Sequence, residues 1–341
     1  MLKKLNAMSA GLILAGVISV AIPVAAQDNV EVQVATWGSP SHINVATFVG
    51  KLTDVLEAET EGRISVRHFP SGQLAEDADM PVALTSGAVK FGWVTLNNWS
   101  GIVEDVKIAD APAGLTMAQL EEATDAENGI KAVLDRQLRE KGVTLLAVTP
   151  LGPTVFVTNE PAVAPSDFTG KKIRVYSEGT AALAQAIGAA PVQLPFADVY
   201  TALQRGTIDG AITGFQGVGS QKMFEVANHV LVPASFTGAG GYQAWIANLD
   251  WWNSLADDDR DIIADAIREA EVYSRAQIIE DRKNLAAQYE QEGMTVVELT
   301  PDMPAYEAWV EATRPLMEAA EQSLSKEILQ PVRRAAEMGG Q

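Results

Sequence analysis

Two periodicities of apolar residues alternate along the chain, one typical of strands and the other of helices. Residues 30–36 alternate apolar and polar positions, which predicts a first strand. Residues 43–60 place apolar side chains at helical spacing, which predicts a helix, and residues 63–69 again have strand composition. Because a helix separates two strands, this pattern indicates a βαβ unit within a parallel sheet.

The alternation of helices and strands continues along the chain. Further helices are predicted over residues 79–86, 118–140, 216–226 and 304–336. Further strands are predicted over residues 89–95, 143–149, 229–233, 242–248 and 294–299. Pro150 and Pro153 mark a crossing between two lobes, and the glycine-rich residues 238–241 mark a second crossing.

The longest helical pattern covers residues 254–291. Ser254 is a suitable N-cap, three aspartates follow at 257–259, and Gly293 ends the pattern. A single helix of this length reaches on the order of 50 Å, enough to run along both lobes. The alternative is two helices with a break near Ser274.

Residues 171–215 are the segment around which the expected binding site is organised. Its first part, residues 171–176, predicts a strand that carries Arg174 and Tyr176 on one face. The remaining predicted elements are helices over 180–187 and 197–205 and a short buried strand over 208–213. A charge in an otherwise apolar strand needs a partner or a wet cleft. Arg174 is therefore either a structural ion-pair residue or a ligand contact.

The order of residues in this segment resembles a known family. Lys172-Ile173-Arg174-Val175 is followed by Gly188-Ala189-x-Pro191-Val192 and by Pro195-Phe196-x-Asp198-Val199-Tyr200-x-Ala202-Leu203-Gln204-x-Gly206-x-x-Asp209-Gly210. Upstream, Gly62-Arg63-Ile64 and Phe69-Pro70-x-Gly72-Gln73-Leu74 extend the match. The chain is thus similar to the solute-binding proteins of tripartite ATP-independent periplasmic (TRAP) transporters, the C4-dicarboxylate-binding (DctP-type) family.

The resemblance implies an α/β, two-lobed periplasmic binding protein fold, with a ligand cleft between the lobes and a long helix that spans both. With the predicted crossings, residues 28–151 plus 238–275 form lobe I and residues 152–237 plus 276–338 form lobe II. The resemblance also implies that Arg174 forms a bidentate salt bridge with a substrate carboxylate, for which a planar guanidinium is well suited. The closed receptor would then dock onto membrane permease subunits.

The N-terminal residues have the pattern of an export signal. Lys3 and Lys4 precede an apolar run at 10–20, and small residues at 24–26 form a cleavage site. Residues 1–26 are therefore predicted to be a secretory signal peptide, and the protein is expected in the periplasm. The alternative is a membrane anchor, but the apolar run is short and ends in a proline.

Composition narrows the range of functions. The formal net charge of −19 argues against nucleic acid and anionic membrane surfaces as partners. The sequence contains no cysteine, which excludes disulfides and thiolate nucleophiles. His42, His68 and His229 lack metal-ligand spacing, and the common nucleophile, phosphate-loop and zinc-protease motifs do not occur. We expect a monomer without cofactor or metal that binds a small organic acid.

The ligand is expected between the lobes, beyond the carboxyl ends of the strands. The candidate ligand contacts lie at strand ends and crossings and are Arg174, Trp37, Thr95, Asn98, Trp99, Thr154, Tyr176, Thr213, Phe215 and Tyr242. Trp37 and Trp99 are assigned to the site because both leave strands next to turn residues. The other tryptophans considered are interpreted as packing residues, and these are Trp93, Trp251 and Trp252.

Two positions depart from the family pattern. Many members carry a second arginine where this chain has Thr154, and many carry asparagine where it has Thr213. Both changes remove strong polar groups beside aromatic residues. The hypothesis is therefore a ligand with one carboxylate and an apolar or ring portion. A receptor that serves a permease and one that feeds a membrane sensor both stay open, whereas an exported enzyme has no positive support in the sequence.

Overall fold

Two separate sheets divide the chain into two lobes. The computed structural model of the protein describes residues 29–109, 111–112, 117–150, 153–233, 236, 242–300 and 302–338. Its strands are β1 (Val30–Thr36), β2 (Ile64–Phe69), β3 (Phe91–Thr95), β4 (Val143–Pro150), β5 (Thr154–Thr158), β6 (Lys172–Val175), β7 (Ala190–Gln193), β8 (Gly210–Gly214), β9 (His229–Val232), β10 (Tyr242–Asn248) and β11 (Thr295–Glu298). Its α-helices are α1 (Ile43–Thr60), α2 (Met80–Thr85), α3 (Met117–Asp125), α4 (Ile130–Arg139), α5 (Glu178–Ala186), α6 (Val199–Gln204), α7 (Phe215–Ser220), α8 (Leu249–Ser254), α9 (Asp257–Gln291), α10 (Ala305–Ser323) and α11 (Lys326–Met338).

The sheet of lobe I has the strand order β2-β1-β3-β10-β4, and that of lobe II has the order β11-β9-β5-β8-β6-β7. In lobe I, β1 pairs in parallel with β2 and β3, so the predicted βαβ unit is confirmed. In lobe II, β6 pairs in parallel with β7 and β8. Each sheet has a buried apolar cluster on both faces, which gives each lobe a core of its own. The predicted two-lobed α/β fold is therefore confirmed.

The chain passes between the lobes at two places, and the first lies beside the predicted prolines. β4 ends in lobe I at Pro150 and β5 begins in lobe II at Thr154. β9 and β10 lie in different sheets, so a second crossing falls between residues 233 and 242. The predicted glycine-rich segment 238–241 and the predicted signal peptide lie outside the described residues.

The long helix α9 joins both lobes in 35 residues without a break, which excludes the alternative of two helices. Near its start, Ile263 and Ile267 are buried in a lobe I core together with Phe48. Near its end, Tyr289 is buried in a lobe II core together with Phe215. Its apolar positions therefore serve two different cores along one helix.

The predicted start of the long helix is wrong by a few residues. Ser254 belongs to the short helix α8, where its hydroxyl donates to the carbonyl of Trp251 at 2.7 Å. The residue that precedes α9 is Ala256, which makes no side-chain cap. Asn248 caps α8 instead, since its side chain accepts a hydrogen bond from the Trp251 amide at 2.9 Å.

The C-terminal helices correct the predicted lobe boundary. Trp309 of α10 is buried in lobe II, where its indole donates to the carbonyl of Val163 at 2.8 Å. Ile328 and Val332 of α11, however, are buried in lobe I against α3 and α4. The assignment of all of residues 276–338 to lobe II is therefore wrong, because the apolar face of α11 finds its partner in the other lobe.

Some predicted helices are divided. The helix predicted over residues 118–140 is two helices, since Gly129 lies at a bend where a side chain would stand 2.6 Å from two backbone carbonyls. The helix predicted over 216–226 ends at Ser220, because Lys222 adopts a left-handed conformation with φ of 50°. Strand β7 was not predicted. Among the described residues, no helix has the combination of length and apolarity needed to cross a bilayer.

Candidate functional site

Arg174 lies in the middle of lobe II, in the buried strand β6, with 4% of its surface exposed. Its Nε donates to the carbonyl of Leu194 at 3.0 Å, and its Nη1 donates to the carbonyl of Ile212 at 3.1 Å. The guanidinium carbon lies 5.6 Å from the centre of the Tyr176 ring. No carboxylate among the described residues forms an ion pair with Arg174, so the structural ion-pair interpretation finds no partner there.

The guanidinium is a buried cation with spare donors. Burial lowers the pKa of Arg174 to about 10, so the group still carries its charge at neutral pH. Two of its five N–H groups are used by backbone carbonyls, which leaves three for another acceptor. A buried cation without a counter-ion is unfavourable, so this arrangement is suited to holding an anion.

Three predicted site residues lie at the end of the lobe II sheet where β8 ends and β5 begins. The hydroxyl of Thr154 lies 3.4 Å from that of Tyr176. Thr213, at the end of β8, is buried, and its strand pairs with the strand that begins at Thr154. Thr213 pairs with Val155 and not with Thr154, so its side chain lies on the other face of the sheet from that of Thr154.

Two other predicted site residues pack into cores instead. Trp99 is fully buried among apolar residues of lobe I, because a short 3-10 helix, Leu96–Trp99, follows β3. Phe215 is the first residue of α7, and its ring lies 5.1 Å from that of Tyr289 in lobe II. Their assignment to the ligand wall is therefore not supported by their packing.

Trp37 lies where the two lobes meet. Its ring stacks on that of Trp93 at 4.5 Å, and Trp93 is fully buried, as predicted. The Trp37 ring also makes an edge contact with Phe196 of lobe II at 6.1 Å. The ring of His42 lies 5.8 Å from that of Trp37, and burial lowers the pKa of His42 to about 4, so the imidazole is neutral at pH 7. These rings form an uncharged aromatic wall.

Thr95 and Asn98 are both hydrogen-bonded to Asp77, the first residue of a 3-10 helix at Asp77–Asp79. The backbone N–H of Thr95 donates to the Asp77 carboxylate at 2.9 Å, and the Asn98 amide donates to the backbone carbonyl of Asp77 at 3.0 Å. The Thr95 hydroxyl also lies 3.3 Å from the amide nitrogen of Gln243. Burial raises the pKa of Asp77. The remaining candidate, Tyr242, begins β10 opposite Pro150.

A cavity of about 520 Å³ opens between the lobes next to Tyr176. Lobe I contributes Asn98 and Lys107 to its wall, and lobe II contributes Tyr176 and Gln193. Residues at the C-terminal end of α10 close one side. Tyr176, which lines this cavity, is also the residue whose ring lies 5.6 Å from the Arg174 guanidinium carbon.

Several residues of this region were missed by the sequence analysis. They are His42, Asp77, Phe196, Gln216 and Gln243. The sequence predicts His42 to be a core or surface histidine, and its burial agrees with a core position. The sequence places Phe196 at a helix start and in the family motif, and the motif was a usable signal for the site. Nothing in the local sequence marked Gln216. Among the described residues, no group of three or more His, Asp or Glu side chains is arranged to hold a metal ion.

Comparison with known proteins gives consistent matches over most of the chain. The model of the bacterial extracellular solute-binding protein family 7 (DctP) matches residues 34–323. The C4-dicarboxylate-binding periplasmic protein DctP of Rhodobacter capsulatus is 31% identical over 289 residues, which cover 84% of this chain and 85% of that protein.

Solved structures agree with these matches. A TRAP periplasmic solute-binding protein from Shewanella oneidensis with bound succinate has a TM-score of 0.81 at 25% identity, and the match covers 90% of this chain and 99% of that one. DctP7 of Bordetella pertussis, an extracytoplasmic receptor that binds pyroglutamic acid, has a TM-score of 0.79 at 18% identity, with coverage of 89% and 99%. The second match shows the shared fold.

The family model spans most of the described chain, and the R. capsulatus relative is similar over most of both sequences. Membership of an extracellular solute-binding family implies a periplasmic location. The family consists of binding proteins that serve transporters and not of enzymes. The chain therefore belongs to family 7 of the bacterial extracellular solute-binding proteins and is a TRAP transporter solute-binding protein.

Proposed function

We propose that this protein captures a small monocarboxylate with an apolar or ring portion, binds its carboxylate on Arg174, and delivers it to the permease subunits of a TRAP transporter. The observation that supports this most directly is the buried Arg174 guanidinium, which has no ion-pair partner among the described residues. A ligand carboxylate compensates this charge, and the planar guanidinium matches its two oxygens.

The groups around Arg174 favour a single carboxylate. Thr154 and Thr213 are buried at this end of the lobe II sheet, and both are uncharged. The rings of Trp37 and Phe196 supply an apolar surface between the lobes. A ligand with one acid group and an apolar body leaves fewer buried charges unpaired than a dicarboxylate does.

A C4-dicarboxylate is the competing candidate. The R. capsulatus relative is a C4-dicarboxylate-binding protein by name, and the S. oneidensis structure contains succinate. Lys107 lines the neighbouring cavity and is a possible partner for a second carboxylate. The Lys107 amine already lies 3.4 Å from the Glu104 carboxylate, and 41% of its side chain is exposed, so its attraction for a ligand is compensated and screened.

The receptor is proposed to close as a clamp. Glu271 and Arg275 of α9 hold the backbone of Val148, with distances of 2.8 Å from the Val148 N–H to Glu271 and 2.7 Å from Arg275 to the Val148 carbonyl. The long helix is thus fixed to lobe I close to the first crossing. Lobe rotation then takes place at the crossings, and a ligand that contacts both lobes selects the closed state.

The ligand class is tested by thermal shift and calorimetry. The mature protein is titrated with cyclopentanecarboxylate and pyroglutamate as monocarboxylates, and with succinate and malate as dicarboxylates. We expect the monocarboxylates to raise the melting temperature more. The control variant is Lys107→Ala, which should change neither monocarboxylate affinity. Tighter binding of succinate or malate, together with its loss in Lys107→Ala, would contradict the proposal and support the dicarboxylate.

A further inference from the structure

Gln216 is a buried amide without a partner. It is the second residue of α7 in lobe II, and 4% of its surface is exposed. Its Oε1 and Nε2 atoms are both buried, and neither has a hydrogen-bond partner among the described residues. Native proteins satisfy most buried polar side-chain atoms, and exceptions often belong to functional sites. The amide is therefore suited to a partner that the described residues do not provide.

The position of α7 places Gln216 next to the end of the lobe II sheet. The helix begins directly after β8, so its N-terminal end lies beside Thr213. Side chains of a helix lean towards its N-terminus, which directs Gln216 towards the end of the lobe II sheet.

The contacts of the neighbouring residue, Gly217, also locate the first turn of α7. A Cβ at Gly217 would lie 2.9 Å from the Thr213 hydroxyl and 3.2 Å from the Phe196 ring, so the first turn of α7 packs against both. Phe196 in turn contacts Trp37 of lobe I. On the other side of Thr213, the carbonyl of Ile212 accepts a hydrogen bond from Arg174. Arg174 and the first turn of α7, which carries Gln216, therefore both lie next to the end of β8.

We propose that Gln216 is a specificity-determining residue, which recognises a cis-amide group, a lactam or a primary carboxamide, on the ligand held by Arg174. Such a group presents an N–H donor and a C=O acceptor side by side, and it matches both atoms of the glutamine amide. The match does not depend on which end of the Gln216 amide is the oxygen. This inference rests on the proposed function, since it requires a carboxylate on Arg174.

The chemistry of a glutamine amide also explains which ligands it disfavours. A ketone or a second carboxylate offers acceptors only, so the Gln216 oxygen would stay buried and unsatisfied. A site built to form a hydrogen bond discriminates strongly against an analogue that lacks the group, because its own polar atoms are left unpaired. Gln216 therefore favours an acid whose second polar group is neutral.

Two matched probe pairs test the proposal by calorimetry. Pyroglutamate is compared with cyclopentanecarboxylate, which lacks the lactam, and succinamate is compared with 4-oxopentanoate, in which a methyl group replaces the amine. In at least one pair, the wild-type protein is expected to bind the amide-bearing member more tightly by about tenfold or more. In Gln216→Leu this preference should fall below about threefold, because the lost affinity is that of the amide alone.

The variants separate the possible failures. Arg174→Met should weaken all four probes, whereas Gln216→Leu should weaken the two amide-bearing probes more than their partners. If Arg174→Met binds like wild type, the proposed function is wrong. If Arg174→Met weakens binding, two results would overturn the role of Gln216. One is a wild-type protein with no amide preference in either pair, and the other is an amide preference that persists in Gln216→Leu. Should Gln216→Leu fail to fold, Gln216→Met decides in its place, since it has a similar length but no amide group, and a retained preference again refutes the proposal.

Discussion

Arg174 offers the sharpest test of how this receptor holds its ligand. In the variant Arg174→Met, the aliphatic stem of the side chain is kept and the guanidinium is removed. The variant loses the ion pair with the ligand carboxylate. It also loses the hydrogen bonds that Arg174 donates to the carbonyls of Leu194 and Ile212. Affinity and stability of the ligand-free protein should therefore respond differently.

The expected loss of affinity follows from the burial of the charge. Removal of one partner from a buried, hydrogen-bonded charge pair costs about 2–5 kcal/mol. This corresponds to a rise in Kd of about 30-fold to 5,000-fold. The variant Arg174→Lys should keep only part of the affinity, because an ammonium has no planar pair of donors for a carboxylate.

The ligand-free protein should change little in stability. Loss of the hydrogen bonds to two carbonyls costs about 1 kcal/mol each. Against this, burial lowers the pKa of Arg174 from 12.5 to about 10, which corresponds to about 3 kcal/mol that disfavours the charged form. The two effects nearly cancel, so the free energy of unfolding of Arg174→Met should lie within about 2 kcal/mol of wild type.

Calorimetry with the best-binding monocarboxylate measures the affinity, and urea unfolding without ligand measures the stability. Arg205→Met is the matched control, because Arg205 is an exposed arginine at the end of α6 in the same lobe. It removes the same charge but should leave Kd unchanged. A wild-type Kd in Arg174→Met, with a normal unfolding curve, would refute the reasoning.

Three further predictions concern stability. Tyr289→Phe should lower the free energy of unfolding, measured in urea, by about 1–3 kcal/mol, because the buried hydroxyl donates to the Phe215 carbonyl at 2.8 Å and accepts from the Gly219 N–H at 2.9 Å. The control Tyr273→Phe, at an exposed position of α9, should have no measurable effect. Equal effects of the two variants would contradict the prediction. Gln216→Leu should raise the melting temperature of the ligand-free protein, because it removes two unsatisfied buried polar atoms; a clear decrease would indicate that the amide has a partner in the protein. The pKa of His42 is lowered from 6.5 to about 4, so between these values the unfolded chain binds more protons and stability is lost as pH falls, by up to about 3 kcal/mol. The variant His42→Phe should have a flatter profile than wild type over this range, and parallel profiles would show that His42 is not the cause.

The local pattern of the sequence was sufficient for most elements and for the central residue of the site. Residues that alternate or recur at helical spacing predicted β1, α1 and the long helix, because one apolar face is all that such a prediction requires. Arg174 stood out because an arginine is rare in a buried strand. The surroundings of Arg174 agree with its proposed role as a ligand contact, since it is buried and lacks an ion-pair partner among the described residues.

Other features depended on packing between distant parts of the chain. Trp37 and Trp99 carry the same local signal, a tryptophan that leaves a strand beside turn residues. Trp37 reaches Phe196 of the other lobe, whereas Trp99 is turned into its own core. The direction of a side chain that follows a strand depends on the turn and on the residues packed around it. Two tryptophans with the same local sequence signal therefore lie in different environments.

The sequence by itself determined which faces of its helices and strands are apolar, where strands end, and where the chain crosses between lobes. Only the tertiary structure decided which partner covers each face, as α11 shows by packing against lobe I. It alone also brought the buried amide of Gln216 to the same strand end as Arg174. The physical reason is that periodicity records the burial of a residue, whereas its partner is set by chain segments that lie far away in sequence.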